Sequence, residues 1–457
     1  MIHILKFSQL ATDVSTASAA IHELRNSLVP INRLSLDVLL LIPTYLVSMN
    51  DRLRATFVCR RWRKAFVQYP PLWSKLYLAG RTDRSLFTTL LQRVRGTPLD
   101  VTIDNSVSPV HDVAIFSPFA PQIRSLNVKG TLLGVHQLSM AISVPLLLLQ
   151  TLAIEVRGFM DFRETPATIF PLFTNAVNVN KFSLFMNESP SLSKFTFPNL
   201  TTFNFSTSPK KFAVSQLLDF LEASPALRHV DITVTPSSFN EDVPPKRVVV
   251  LPHIESFLFC VTHRHPGCEI STHISCPSAK RTVFHHLPQF TSHGTPKNIY
   301  PPSLPLTTIV RQYTNRTIDQ AILDLETPDG HLSCSLTFRS SNGATLELRY
   351  THHTAEDSGD MDRILSEILP PIFSQACRTI RDHPLFVDVR HLSINGGGLI
   401  TGNLGLATND IGRLLGCMGS LERLTLHDCD LRPFLDAFLE TPQFPEAFPH
   451  IKKLAVV

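Results

Sequence analysis

A short motif, a proline followed by apolar residues two, five and seven positions later, recurs in this chain at a constant interval. Pro198, Pro225 and Pro252 head three copies that follow one another every 27 residues. In each copy the last two apolar residues alternate with other residues, which is the pattern of a β-strand with one buried face. A period of this length lies in the range of about 20–29 residues in which each repeat forms one strand and one helix. We therefore expect an α/β fold in which such repeats stack into a solenoid.

Further copies of the motif extend the repeated region. A degenerate copy follows Pro277. The strongest copy lies near the end of the chain and matches L-x-x-L-x-L-x-x-C-x-L at every position, with Leu421, Leu424, Leu426, Cys429 and Leu431. That pattern is typical of leucine-rich repeats. The predicted organisation is an N-terminal segment over 1–29, a helical segment over 30–78 and a leucine-rich-repeat-like solenoid over 79–457.

The block from residue 285 to residue 388 fits the repeat poorly. Apolar and polar residues alternate from Leu332 to Phe338 and from Leu346 to Tyr350, on either side of the turn sequence Ser340–Gly343. This arrangement predicts a β-hairpin. A helix is predicted from Met361 to Ile372. The block is either a distorted part of the solenoid or an insertion into it, and the sequence leaves both possibilities open.

Composition is that of a folded protein that dissolves in water. Hydrophobic residues make up 43% of the 457 residues and charged residues 18%, which is too apolar for a disordered chain. No apolar stretch approaches the roughly 20 residues that span a bilayer. A formal net charge of +4 gives no reason to expect nucleic-acid binding, and the eight cysteines show no disulfide-framework spacing. We expect a cytoplasmic and/or nuclear protein without membrane or nucleic-acid partners.

The first hundred residues carry the signals of short helices. Within residues 1–29 the best helical candidate is Ala17–Leu28. Ser35 is placed to cap a helix that Pro43 then ends or kinks. Apolar residues on one face predict a second helix from Asn50 or Asp51 to about Phe66, and a third from Asp83 to Val94.

Three pieces of residues 30–78 together resemble the F-box. They are the run L-S-L-D-V-L-L-L-I-P-T-Y-L that begins at Leu34, the run V-C-R-R-W-R that begins at Val58, and the pair L-W that begins at Leu72. The family pattern is L-P-x-E-[IL]-L-x-x-I-F-x-x-L, then V-C-[RK]-x-W-[RK], then L-W. This chain departs from the pattern with serine for proline, aspartate for glutamate and proline where phenylalanine is common, at Ser35, Asp37 and Pro43.

The resemblance implies a substrate-recognition subunit of an SCF-type ubiquitin ligase. In that family the F-box docks on a Skp-family adaptor, the adaptor bridges to a cullin, and leucine-rich repeats often follow to hold a protein substrate. A helical segment this short buries little apolar surface by itself, so part of its apolar face can stay open for a partner. The residues that the resemblance assigns to the adaptor interface are Leu34, Val38, Ile42, Leu46, Val58, Cys59, Trp62 and Trp73.

Other interpretations of the same residues remain open. The apolar residues of the helical segment could form a private core with the third helix. The cations between Arg52 and Lys64 form a solvated helix face, a surface that steers an acidic adaptor, or a nucleic-acid patch confined to one helix. The whole chain could also be a leucine-rich-repeat scaffold that acts without a ligase, or a hydrolase with a Cys/His metal centre.

Chemical motifs give little support to an enzyme. The nucleophile-elbow, zinc-protease and phosphate-loop motifs are absent from the sequence. Cysteines and histidines cluster between His253 and His286, but zinc sites usually take cysteines from close pairs such as C-x-x-C. Cys260, Cys268 and Cys276 are too far apart for that spacing. We therefore predict no catalytic residue, no metal site and no cofactor.

Substrate recognition is expected on the outward side of the predicted strands. Because side chains alternate along a strand, the residues between the buried leucines point away from the core. Stacked strands would place these residues in rows at intervals of about 4.8 Å, which is a surface suited to a protein rather than a metabolite pocket. The residues concerned are Asn127, Asn204, Arg228, Asp231, Ser393, Arg423 and Thr425.

Overall fold

The computed structural model describes two compact units. The first comprises residues 1–160 and 169–178, and the second comprises residues 161–168 and 179–457. The described residues are 2–46, 48–79, 84–105, 113–142, 144–157, 176–187, 192, 195–208, 212–234, 239–240, 247–261, 270, 273–286, 318–326, 331–353, 388–395, 415, 418–427 and 451–456. The boundaries predicted at residues 29 and 78 stay predictions.

The first unit begins with helices. They are α1 (Ile2–Leu28), α2 (Leu36–Leu41), α3 (Met49–Ala55), α4 (Arg60–Val67), α5 (Pro70–Trp73), α6 (Arg84–Val94) and α7 (Leu132–Ala141). Helix α1 is longer than the predicted Ala17–Leu28. As predicted, Pro43 ends α2, because a 3₁₀ turn, Ile42–Tyr45, replaces the α-helix at that point. Ser35 occupies the N-cap position of α2, but its side chain makes no capping hydrogen bond.

The prediction of a single helix from Asn50 or Asp51 to about Phe66 was wrong, because two helices, α3 and α4, occupy this stretch. Helix α3 starts after Ser48, whose hydroxyl oxygen accepts a hydrogen bond from the Asp51 amide at 3.0 Å. It ends where the Thr56 hydroxyl donates to the carbonyl of Leu53 at 2.7 Å, a local bond that competes with helix continuation. Cys59 is fully extended, and α4 restarts after it.

In the described residues of the first unit, four parallel strands follow or alternate with these helices. Each pairs with the next in chain order: β1 (Lys75–Ala79), β2 (Leu99–Asp104), β3 (Ile123–Gly130) and β4 (Thr151–Val156). The buried side chains stand in register across the strands, so that Leu76, Val101, Leu126 and Leu152 form one row. The repeat therefore buries equivalent side chains at equivalent levels.

The second unit contains a larger sheet of the same kind. Its elements in chain order are β5 (Lys181–Met186), β6 (Thr202–Thr207), β7 (Phe212–Ala213), α8 (Val214–Glu222), β8 (His229–Val234), β9 (Phe239–Asn240), β10 (Val249–Val250), β11 (Ser256–Val261), β12 (Ile274–Ser275), β13 (Arg281–His286), β14 (Ile318–Glu326), β15 (His331–Ser340), β16 (Thr345–His353), β17 (His391–Asn395), β18 (Arg423–His427) and β19 (Lys453–Val456). Within this unit the order across the sheet is β5-β6-β8-β11-β13-β16-β15-β14-β17-β18-β19. Strands β7 and β9 pair separately, as do β10 and β12.

The recurring prolines sit in β-turns that lead into the strands. The amide of Leu200 donates to the carbonyl of Phe197 at 3.1 Å, and the amide of Leu227 donates to the carbonyl of Ser224 at 3.3 Å. Pro198 and Pro225 thus hold the second position of these turns, where the fixed φ of proline is already suitable. Residues at both ends of the turns are buried. The turn therefore fixes where each strand enters the core, and the predicted 27-residue repeat is confirmed by strands that start at residues 202, 229 and 256.

The irregular block contains an insertion that continues the sheet. The predicted hairpin is confirmed as β15 and β16, joined by a turn in which Gly343 has a φ of 81°. Strand β16 pairs in parallel with β13, and β14 pairs in parallel with β17, while β15 runs antiparallel between them. The three strands therefore lie in the sheet in the reverse of their chain order: β14, the first of them, is farthest from β13, and β16, the last, is next to it. The helix predicted over Met361–Ile372 lies outside the described residues.

The helical half of the repeat is less regular than the strand half. In the part of the chain that the structure describes, α7 follows β3 and α8 precedes β8. The α/β fold class is confirmed: a short helical region is followed by a repeat solenoid of parallel strands. Assignment of the repeats to the leucine-rich class stays a prediction. None of the helices in the described ranges is both long and apolar enough to cross a membrane.

Phenylalanines build much of the core of the second unit. The Phe203 ring lies 4.6 Å from Phe220 of α8 and 5.8 Å from Phe182 of β5, measured between ring centroids. All three side chains are buried. Ring pairs at these distances add stability beyond the area that they bury. Helix α8 is thereby fixed against the inner side of the sheet.

The in-register packing predicts a sharp difference between the two faces of a strand. Ile232 of β8 is buried, whereas His229 of the same strand is exposed. Ile232→Ala is expected to lower the free energy of unfolding by about 2–5 kcal/mol, because it removes buried methylenes and leaves a cavity. His229→Ala, the matched control, should change it by about 0.5 kcal/mol or less. Denaturant unfolding followed by circular dichroism measures both, and equal effects would contradict the packing.

Candidate functional site

A buried asparagine organises the helical segment. Asn32 lies in the 3₁₀ turn Pro30–Arg33, and its side-chain oxygen accepts a hydrogen bond from the indole Nε1 of Trp62 at 2.7 Å. Its amide nitrogen donates to the carbonyl of Asn26 at the end of α1, at 2.8 Å. The Cys59 thiol lies 3.9 Å from the same Asn32 oxygen. One side chain thus joins α1, the start of α4 and the turn before α2.

A buried arginine provides a second internal connection. Arg52 of α3 donates from one guanidinium nitrogen to the carbonyls of Leu72 and Lys75, both at 2.9 Å. Burial lowers the pKa of this guanidinium from its ordinary value, because desolvation disfavours the charged form. The contact holds α3 against the junction of α5 and β1. Arg52 therefore serves the fold and is not part of an exposed cationic surface.

The two tryptophans are core residues of this segment. Trp62 is 7% exposed and packs edge-on against Phe66 with 5.2 Å between centroids. Trp73 is fully buried, donates from Nε1 to the Phe66 carbonyl at 3.0 Å and lies under the guanidinium of Arg93. Trp62, which the resemblance assigns to the adaptor interface, is therefore not among the open apolar side chains, and its polar N–H is satisfied by Asn32. Direct adaptor contact by either indole stays a prediction.

Other apolar side chains of the segment do remain open to solvent. Of the residues predicted to contact an adaptor, Val38 and Val58 are exposed, and the half-buried ones are Leu34, Ile42, Leu46 and Cys59. The structure adds residues that the sequence pattern did not single out, namely Leu36, Leu41, Tyr45 and Phe57, with Tyr45 82% exposed and Phe57 70%. They lie on α2, on the 3₁₀ turn after it and in the α3–α4 turn. Such a concentration of open apolar side chains is characteristic of a protein-binding surface.

The cations of α4 are partly used within the same unit. Arg61 donates to the Leu34 carbonyl, and Arg63 donates to the Thr56 carbonyl at 3.2 Å. The Arg63 guanidinium also lies 5.7 Å from the ring centroid of Phe57. Arg60 pairs with Glu23 of α1 at 3.4 Å. Arg63 thus lies beside the exposed Phe57, and Arg60 joins α4 to α1, while the side chains of all three arginines stay exposed.

The predicted substrate residues fall into separate groups. Asn127 lies on β3 of the first unit, and the other six lie in the second. Asn204, Arg228 and Asp231 sit on or next to β6 and β8, whereas Ser393, Arg423 and Thr425 sit on β17 and β18. Five strands separate β8 from β17, which is roughly 30 Å at about 4.8 Å per step. The single uninterrupted row that the repeat suggested is thus divided by the inserted strands β14–β16.

The group on β17 and β18 borders a cleft of about 340 Å³. Its lining is mostly polar and includes two histidines and one arginine; the residues are Gln320, His391, Leu392, Ser393, Arg423, Thr425 and His427. The Nδ1 atom of His391 is buried and has no hydrogen-bond partner among the residues that the structure describes. In the described ranges the Arg423 guanidinium makes no ion pair, whereas Arg228 is paired with Glu255 at 3.0 Å. The cleft therefore offers hydrogen-bond donors and positive charge to a ligand.

The first group has a different chemical character. Asn204 donates to the Ser183 hydroxyl at 3.1 Å, and Asp231 lies beside Asn204 in the register of β6 and β8. Desolvation raises the pKa of the Asp231 carboxyl. This part of the face is internally paired, through Asn204 with Ser183 and Arg228 with Glu255.

The Cys/His stretch shows no metal geometry in the residues that can be described. Burial raises the pKa of the Cys260 thiol to about 11 and that of Cys276 to about 12, as is usual for thiols buried in apolar surroundings. His273 lies 2.7 Å from the carbonyl of Arg247 through Nδ1. Among the described side chains, no three potential ligands come together. His263, His265 and Cys268 lie outside the described residues.

The role of Asn32 can be tested through the tryptophans. The chain has only two, and both belong to this segment, so intrinsic fluorescence reports its unfolding. Asn32→Ala leaves the Trp62 N–H buried without an acceptor, which should cost about 1–3 kcal/mol of stability. Asn50→Ala, at an exposed position of α3, is the matched control and should unfold like the wild type. An unchanged fluorescence transition in Asn32→Ala would show that the contact is not structural.

Comparison with known proteins agrees with this segment. Residues 36–79 match the F-box-like family model. No curated protein matches the chain. The match begins at α2 and ends with β1, so it covers both tryptophans, the Arg52 contact and the exposed apolar residues. Residues 36–79 therefore form an F-box-like domain, and a solenoid of parallel strands follows it.

Proposed function

We propose that this chain is the non-catalytic substrate-recognition subunit of an SCF-type ubiquitin ligase. Its F-box-like domain would dock on a Skp-family adaptor, which connects to a cullin, and its repeat solenoid would hold a protein substrate. The observation that carries the proposal is the coincidence of the F-box-like match at residues 36–79 with open apolar side chains in the same residues. F-box domains in general bind adaptors of this type.

The exposed side chains support docking on energetic grounds. Leu36, Leu41 and Phe57 are each more than half exposed. Complete burial of a large apolar side chain gives about 1.5–3 kcal/mol of favourable free energy, which these residues do not gain within the chain. A partner that packs helices against α2 and the α3–α4 turn would gain that free energy. The internal contacts of Asn32 and Arg52 hold the backbone in place before binding, which lowers the entropy lost on association.

The solenoid supplies the substrate side of the proposal. Its outward strand face carries polar and charged residues on a rigid sheet, which suits recognition of another protein. Within that face the cleft at β17 and β18 combines Arg423, His391 and His427. Planar guanidinium and imidazole donors are well matched to carboxylate or phosphate groups. We therefore place an anionic segment of the substrate there. The repeat period supports assigning the solenoid to the leucine-rich class.

The docking proposal predicts a loss of adaptor binding without a loss of folding. Leu41→Asp combined with Val58→Asp places charges on two exposed apolar positions and should weaken the adaptor complex by at least about 2 kcal/mol, or roughly thirtyfold in Kd. Titration of the full chain with purified adaptor measures the Kd, and tryptophan fluorescence verifies that the domain still folds.

Leu147→Asp is the matched control, since Leu147 is also an exposed leucine of the first unit but lies outside the F-box-like domain. It should bind the adaptor as tightly as the wild type. Unchanged affinity in the double variant would refute docking through this surface. Absence of adaptor binding by the wild type would favour a scaffold that acts without a ligase.

The substrate proposal predicts that reversing one charge abolishes substrate binding and leaves adaptor binding unchanged. Arg423→Glu inverts the charge of the cleft and should remove the captured substrate while adaptor and cullin are retained. Arg228→Glu, the same substitution on the other group, is the matched control and should keep the substrate. Affinity purification of the full chain with quantitative mass spectrometry measures both. If only Arg228→Glu loses the substrate, the site lies at β6 and β8 instead.

A further inference from the structure

Helix α1 carries an apolar stripe that nothing in the described part of the chain covers. Its members repeat with alternating spacings of four and three residues, and they are Leu10, Val14, Ala17, Ile21, Leu24 and Leu28. The five large side chains among them are 59–67% exposed. This spacing is the a/d pattern of a coiled coil, with Val14, Ile21 and Leu28 at a positions and the others at d positions.

The opposite side of α1 is the one that meets the F-box-like domain. A cleft of about 510 Å³ there is lined by Ala19, His22, Glu23, Asn26 and Ser27 from α1, together with residues of α4 and its approach; of those from α1, all but Ser27, at position g, occupy positions b, c or f. Glu23 pairs with Arg60, and the Asn26 carbonyl accepts from Asn32. Residues at positions b, c and f thus face the domain, so the a/d stripe necessarily points outward.

We propose that α1 forms a parallel two-stranded coiled coil with α1 of a second copy of this chain. β-Branched residues at a and leucine at d favour two parallel strands. Val14 and Ile21 fill two a positions, and Leu10 and Leu24 fill two d positions. In this arrangement each residue of the stripe packs against the same residue of the other copy, as an isologous interface requires.

The flanking charges are compatible with self-association. Within the described side chains of α1, Asp13 at position g and Arg25 at position e are the charged residues that border the stripe. In a parallel pair, position g faces position e of the next heptad in the partner. Asp13 would then face Ser18, and Arg25 would face Ala20. No like charges meet, so two copies can approach without repulsion.

The area is sufficient for a specific dimer. Five large apolar side chains per copy, each about three-fifths exposed, bring on the order of 1,000 Å² of surface to the seam, which is the lower limit for a specific interface. The stripe from Leu10 to Leu28 is about 27 Å long at about 1.5 Å per residue. A helix that packs on its own unit only near its end gains most of its stability from such a partner.

The mass of the full chain in solution tests the proposal. Light scattering coupled to size exclusion should give twice the 51.1 kDa mass of the chain across the micromolar range. Ile21→Lys combined with Leu24→Lys places charges in the seam and should give the monomer mass. Thr12→Lys combined with Ser15→Lys, which adds the same charge to other faces of α1, should remain dimeric. A monomeric wild type would overturn the proposal and leave the stripe for a different protein.

Cysteine cross-linking tests the parallel arrangement separately. In a parallel pair the two copies of residue 10 lie side by side, so Leu10→Cys should form a covalent dimer on mild oxidation. Thr12→Cys, on the opposite side of the helix, is the matched control and should not. A wild-type dimer in which Leu10→Cys fails to cross-link would overturn the parallel pairing. Circular dichroism of each variant verifies that the fold is intact.

Discussion

The constraint on which most of this structure depends is the level at which side chains enter the core. Neighbouring parallel strands present their buried residues at the same height, as in the row that runs from Phe182 through Phe203 and Val230 to Phe257. A shift of one residue would turn every side chain of a strand to the other face. The proline turns before β6 and β8 fix that level from the outside, because both ends of each turn are buried.

The helical segment of residues 30–78 relies on a different principle. Its helices are short, and two polar residues, Asn32 and Arg52, connect elements that are distant in the sequence. The bonds from Trp62 to Asn32 and from Arg52 to the Leu72 carbonyl are buried, where a hydrogen bond is well protected from water. The apolar residues spared from the interior remain outside. The segment thus combines internal hydrogen bonds, made by Asn32 and Arg52, with apolar side chains that stay exposed on its surface.

Local features of this chain were predictable from sequence and long-range ones were not. The 27-residue period and the hairpin around Gly343 depend on neighbouring residues, and both are confirmed. Whether Trp62 is buried by the chain itself or kept open for a partner could not be decided from sequence, because periodicity gives an apolar face but not what covers it, and the role of Asn32 has no sequence signature. The order β16-β15-β14 was equally inaccessible, since strand pairing across residues 281 to 391 is set by tertiary packing.

The inserted strands have a consequence for how such a protein can change its size. Because the insertion contains three antiparallel strands, its two outer strands, β14 and β16, run in the same direction. Strands β13 and β17 therefore each pair with a parallel neighbour, as they would if they paired with each other. The levels agree as well, since Phe284 and Ile394 are linked through Leu348, Leu336 and Leu323. An insertion of two strands would meet β17 in the wrong direction. The solenoid is therefore modular: it can be widened by odd numbers of antiparallel strands without any change to the repeats on either side.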